Sequence, residues 1–175
     1  MNLKFKNDKN VHLNNFALGD RIEEKLFYTT KNTSNSSFYK INLDTNWIKV
    51  RSKQYKTTIN DYVTSREKVK IYTLDQYCID KKITEIHLLK IDTQGYEDKI
   101  LKGSIVQLKK NIKAIVTEIM FDNVYNKYFS FSDIEKYIVP NDFRMVGIDL
   151  LNNNLFSGLV FFADVYYFNK KYYNL

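Results

Sequence analysis

Apolar positions in the first half of the chain fall into short, loosely alternating runs. In the second half they form denser runs separated by a helical stripe. Residues 11–18 (VHLNNFAL) lean apolar and end in Gly19-Asp20, a turn pair. Residues 25–30, 47–51 and 69–73 carry β-branched and aromatic side chains, the last two with partial alternation, and are predicted strands. At Thr73-Leu74-Asp75-Gln76 a threonine stands three residues before a glutamine. That is capping-box spacing and predicts a helix from here to about Asp80.

Residues 86–91 (IHLLKI) have the length and apolar content of a strand covered on both faces. After Asp92-Thr93-Gln94-Gly95, the residues Ile100, Leu101, Ile105 and Leu108 share one helical stripe while lysines take the other side. Gly103 interrupts it, either as an interior glycine or as the cap of a short first helix. Residues 114–116 then lead into Thr117-Glu118 as a second buried strand. Strand, helix and strand in this span make a βαβ unit with parallel strands and a right-handed crossover. Ser132-Asp133-Ile134-Glu135 reads as another capping box opening a helix to Val139, which Pro140 closes. Strands at 143–150 and 159–168 follow as an antiparallel pair. The expected class is α/β, with no Pro/Gly linker to divide the chain.

Composition narrows the possibilities. The chain has 175 residues, 44% of them hydrophobic and 27% charged, which suits one globular domain and excludes disorder. No apolar run approaches the roughly 18 residues of a membrane span, and the polar start resembles no signal peptide, so a soluble cytoplasmic protein is the expectation. The single cysteine, Cys78, excludes an internal disulfide and is read as a small buried hydrophobe in its helix. His12 and His87 stand alone and are read as structural. The net charge of +7 comes from lysines spread over many faces, which favours solubility over a phosphate track and argues against nucleic acid as partner.

Open α/β sheets bind ligands outside the carboxyl ends of their strands. Polar groups stand at three such points: Gly19-Asp20, then Asp92 through Glu97, then Glu118. Each acid has a bland explanation. Asp92 can cap a helix, Glu97 can complement a helix dipole, and Glu118 can be a solvated strand end. Together, at one edge, they mark a candidate site. They could also hold a divalent cation, but nothing in their spacing demands one and no metal is expected.

The stretch Leu88-Leu89-Lys90-Ile91-Asp92-Thr93-Gln94-Gly95-Tyr96-Glu97, followed by Ile100-Leu101-Lys102-Gly103, resembles the signature of the FkbM-type methyltransferases. Ala17-Leu18-Gly19-Asp20 looks like the turn after that family's third strand, and Ser36-Ser37 like its small-residue loop. Thr73-Leu74-Asp75 looks like its helix start, Glu118 like the acid ending its fifth strand, and Ala163-Asp164 like the start of its last strand. The resemblance implies a Rossmann-like class I fold across residues 1–175, core about 11–168, with a mixed sheet and an antiparallel C-terminal pair. It implies methyl transfer from S-adenosylmethionine to a hydroxyl of a sugar, lipid or natural product, that is, a small-molecule or glycan acceptor. By position, Asp92 is the acceptor-side base or orienter, supported by Glu97, with Lys90 and Glu118 beside them. Gly19 and Asp20 would touch the cofactor.

One family element is missing. The five glycines form no G-x-G pair and none precedes Gly19, so the glycine-rich turn and the fold's first two strands are expected to be absent. In that register residues 1–10 correspond to the end of the preceding helix. Residues 11–18 and 88–91 are then expected to have unpaired edges, and cofactor binding by these residues alone is expected to be impaired. Two alternatives stay open: a non-catalytic remnant of the fold, or a basic α/β module binding RNA or an anionic glycan.

Overall fold

The computed structural model describes residues 8–121, 123–127, 130–151 and 162–173. Their strands form two mixed sheets, which part at residues 17–18 and 86–91, where unpaired edges are expected. In the first, β1 (Ala17–Leu18) lies parallel to β3 (Val63–Tyr72), and β2 (Glu23–Thr30) lies antiparallel to β3 on its other side. In the second, β4 (Ile86–Ile91) lies parallel to β5 (Ile112–Met120), followed by β7 (Phe162–Asn169) and β6 (Phe143–Leu151), both antiparallel to their neighbours. The parallel βαβ unit and the antiparallel C-terminal pair are therefore present. Among the described residues, neither β1 nor β4 has a partner on its second edge, and this is why the sheet divides.

Four expectations change. Residues 47–51 are not a strand but part of helix α1 (Asn46–Gln54). The Thr45 side chain caps it by accepting from Ile48 N at 3.4 Å. Trp47, Ile48 and Ser52 are buried together, a helical spacing that five residues were too few to display. Of residues 11–18 only Ala17–Leu18 pair as strand, because residues 12–15 are exposed. The capping box of helix α5 (Phe131–Ile138) is Ser130 with Asp133, not Ser132 with Glu135. There Asp133 Oδ2 accepts from Ser130 N at 3.0 Å. Finally, β4 is not covered on both faces: Ile91 is buried, but Leu88 is 57% exposed and His87 is exposed against Glu85 at 3.3 Å. A strand with one neighbour cannot be a sheet centre. The part of the predicted last strand at 159–161, and residues 1–7, lie outside the described residues.

The predicted helix at Thr73 forms as α2 (Leu74–Lys81), and the Thr73 hydroxyl accepts from Gln76 N at 3.0 Å. Cys78 is buried in it. The long helical stripe breaks into α3 (Glu97–Lys102) and α4 (Ile105–Lys110), with Gly103 as the C-cap of α3. Asp75 couples these helices. Its backbone N donates to Gly103 O at 3.1 Å, and its carboxylate accepts from Val106 N at 3.1 Å and Gln107 N at 3.0 Å. Those two N–H groups open α4, whose own N-cap Ser104 makes no side-chain bond, so Asp75 caps α4 from a different helix. One core cluster joins the sheets through these helices, running from Ile71 and Leu74 through Leu101 and Leu108 to Ile115 and Ile134.

Gly103 is needed for space rather than for backbone freedom, since its φ of −83° suits any residue. A Cβ there would collide with the carbonyl oxygen of Gly19 and sit 2.9 Å from its carbon. Backbone cannot yield as a side chain tip can. Gly103→Ala is expected to lower stability by about 1–3 kcal/mol, read as a drop in the urea midpoint. An unchanged midpoint would show that the α3–β1 contact is loose.

Candidate functional site

The site is built at the carboxyl ends of β4 and β5. Past Ile91 the chain turns sharply, with Gln94 at φ 56° and Gly95 at φ 95°, both left-handed. Gly95 meets the conformational need, and its missing side chain leaves room for Tyr125, whose Cδ2 would lie 3.2 Å from a Cβ there. The Ser37 hydroxyl fixes the turn from outside by donating to Gln94 O at 2.7 Å.

Glu97 closes the turn from within. Its Oε1 accepts from Thr93 N at 2.8 Å and from the Thr93 hydroxyl at 3.0 Å. The side chain is buried, and Oε2 has no partner among the described residues. Burial pushes its carboxyl up to about 7 against hydrogen bonds that favour the ion. Glu118, at the end of β5, is also buried. Burial first, then the nearby carboxylates of Asp92, Glu97 and Asp164, push it up to about 8. Burial thus favours the protonated form of Glu118 near neutral pH.

Gln94 joins the acids. Its Nε2 donates to Glu118 Oε2 at 2.7 Å and lies 3.3 Å from Asp92 Oδ1. Its Oε1 lies 3.2 Å from the Tyr125 hydroxyl, which is also 3.0 Å from Asn35 O. Asp92 is the exposed member, its side chain 46% accessible, with Lys90 Nζ 3.8 Å away. The same ammonium lies 3.4 Å from Asp164, which stands opposite Glu118 in the β5–β7 register. Asp92, Glu97, Glu118 and Lys90 are thus brought together.

Asp92, Glu118 and Lys90 open onto a cavity of about 710 Å³, whereas Glu97 sits behind the wall. Its apolar sides come from Ala17 and Leu18 of β1 and from Leu89 and Ile91 of β4, so it occupies the space between the two unpaired strand edges. Its polar rim includes Gln94 and the loop of residues 32–36.

Gly19 and Asp20 are not brought to this cavity. Asp20 Oδ2 lies 3.3 Å from Lys99 and 3.2 Å from Lys102, and its side chain is nearly inaccessible. Burial opposes ionisation there, but the two lysines hold the carboxyl below its usual range. Gly19 N donates to Tyr72 O at 2.8 Å, and the residue packs against Ile71 and Tyr96. Both residues fasten β1 to α3. Among the described residues, no group of three His, Cys, Asp or Glu side chains has the arrangement of a metal site.

The sequence reading missed Gln94, Tyr125, Asp164 and Arg51 as members of the site. Gln94 stands beside the turn glycine, which was a signal that it would be held in place. Tyr125 and Arg51 reach the site from distant elements and left no local sign.

A family model described as the methyltransferase FkbM domain matches residues 2–145. Comparison with curated proteins and with solved structures gave no match. The match covers the first sheet, β4 and β5 of the second, the Asp75 linkage and the acids at the ends of β4 and β5, and the chain belongs to the FkbM methyltransferase family.

Proposed function

We propose that this protein methylates a hydroxyl oxygen of a small-molecule or glycan acceptor, with S-adenosylmethionine as the methyl donor. The observation that carries the reading is the placing of Asp92 and Glu118, bridged by Gln94, at the ends of parallel strands facing one cavity. A sulfonium cofactor supplies an electrophilic methyl group when bound. The residues here act on the acceptor. Asp92, reachable from solvent, takes the hydroxyl proton, and Gln94 fixes the carboxylate that receives it. Glu118, its protonated form favoured near neutral pH, contributes a neutral O–H and no second negative charge beside Asp92. Glu97 holds the turn that positions both.

The described residues do not fit the nucleoside of the cofactor. No glycine lines the cavity among them, so no backbone turn lets a ligand approach as closely as a dinucleotide-type site requires. Asp20, the residue expected at the adenine, is tied to Lys99 and Lys102.

Incubation with methyl-labelled S-adenosylmethionine and a panel of hydroxylated acceptors tests this reading. Enzyme isolated from its native host should place label in a base-stable product, as a methyl ether requires. Absence of label, or label released by mild base as methanol, would overturn hydroxyl methylation. The 175 residues expressed alone should transfer none; transfer by them would overturn the reading that they do not fit the cofactor's nucleoside.

A further inference from the structure

Strand β6 ends the second sheet, on the side away from β4, and among the described residues its outer edge pairs with nothing. It is a long edge, nine residues reading FRMVGIDLL, without the lysine or proline that commonly blunts one. Its register with β7 sets Met145, Ile148 and Leu150 opposite Tyr167, Val165 and Ala163. Those three β7 residues are fully buried, yet Met145, Ile148 and Leu150 are 42%, 47% and 57% exposed. Helix α5 reaches this face of β6 at Phe143, which shares a cluster with Ile134 and Ile138. The apolar face of the sheet thus runs on past its cover.

On the other face of β6 stand Arg144 and Asp149, both exposed and neither in an ion pair among the described residues. In a regular strand, residues five apart point to opposite faces. These two share a face because the ladder slips by one residue between Met145 and Gly147. The same slip brings Met145 and Ile148 onto one face.

The strand is therefore complementary to itself. Residues directly opposed in an antiparallel pair share a face. A two-fold axis through the bulge sets Arg144 opposite Asp149 of the partner subunit, and Met145 opposite Ile148 of the partner subunit. The axis repeats each pair. A regular strand laid along β6 would lose register at the bulge, whereas a second β6 carries the same bulge at the same level. We propose that two copies of this chain associate by antiparallel pairing of β6 with β6 in that register. The pairing joins two four-stranded sheets edge to edge and lets the exposed apolar side chains cover one another.

Sedimentation equilibrium of the 175-residue chain tests this. The mass should approach twice 20.9 kDa as concentration rises. Arg144→Asp sets like charges against each other at both ends of the pair and should raise the dissociation constant at least about tenfold. Adding Asp149→Arg restores opposite charges in this register and should return the constant to within about twofold of wild type. Ile148→Lys, which places a charge among the apolar contacts, should leave a monomer. All three side chains are exposed in the single chain, so circular dichroism should be unchanged; if Ile148→Lys fails to fold, the charge reversal decides alone. A chain monomeric at every concentration would overturn the proposal, as would a double reversal that does not recover the dimer. A dimer indifferent to Ile148→Lys would place the contact on another edge, such as β1 or β4, and equally overturn it.

Discussion

Asp92→Asn is expected to slow methyl transfer by the native enzyme about 10²–10⁴-fold, the range ascribed to a positioned general base. The substitution keeps the shape of the side chain and its acceptor for the Gln94 amide, which lies 3.3 Å from Oδ1. It removes the basic oxygen and the 3.8 Å approach to Lys90. That pair is half exposed, so its loss changes stability little. The fall should therefore appear in kcat, with the acceptor KM and the melting temperature close to wild type. Undiminished transfer would remove Asp92 as base and pass the role to another group in the chamber.

Glu118→Gln is expected to stabilise the fold in alkali and to leave it unchanged in acid. The glutamate carboxyl is pushed from 4.5 up to about 8 in the folded chain. Between those values the folded state holds a proton that the unfolded state has released, so stability falls as pH rises and levels off above about 8. That difference corresponds to about 3–5 kcal/mol. Glutamine carries no such penalty, and its own oxygen can accept the Gln94 bond that Glu118 receives at 2.7 Å. Urea titrations near pH 4 should give similar midpoints for the two proteins, and at pH 9 the variant should require more urea. Parallel curves across this range would mean that Glu118 is ionised throughout and that water reaches it.

What the sequence disclosed was local. The Thr73–Gln76 spacing marked a helix start because cap and partner lie within one turn, and IHLLKI marked a strand because its apolar run is bounded by polar residues. Gly103 was flagged for the same reason, though the carbonyl of Gly19 that excludes a side chain there lies 84 positions earlier. Helix α1 was misread because W-I-K-V-R alternates weakly over a window too short to separate the two periods. The acids at the strand ends were legible, since the topology of a parallel pair dictates where they stand. The Gln94 bridge between Asp92 and Glu118 was not, because it depends on the register of β4 against β5. Nor was the capture of Asp20 by Lys99 and Lys102, some 80 residues away, which turned an expected ligand contact into a brace.

That brace governs more than the residues it joins. Among the described residues no ladder runs from β1 to β4, so the spacing of the two sheets rests on the shared core and on joints such as this one, where α3 holds the Gly19–Asp20 turn through a carbonyl contact and two ammonium groups. The width of the cavity therefore depends in part on a joint whose own residues, Gly19, Asp20, Lys99 and Lys102, do not line it.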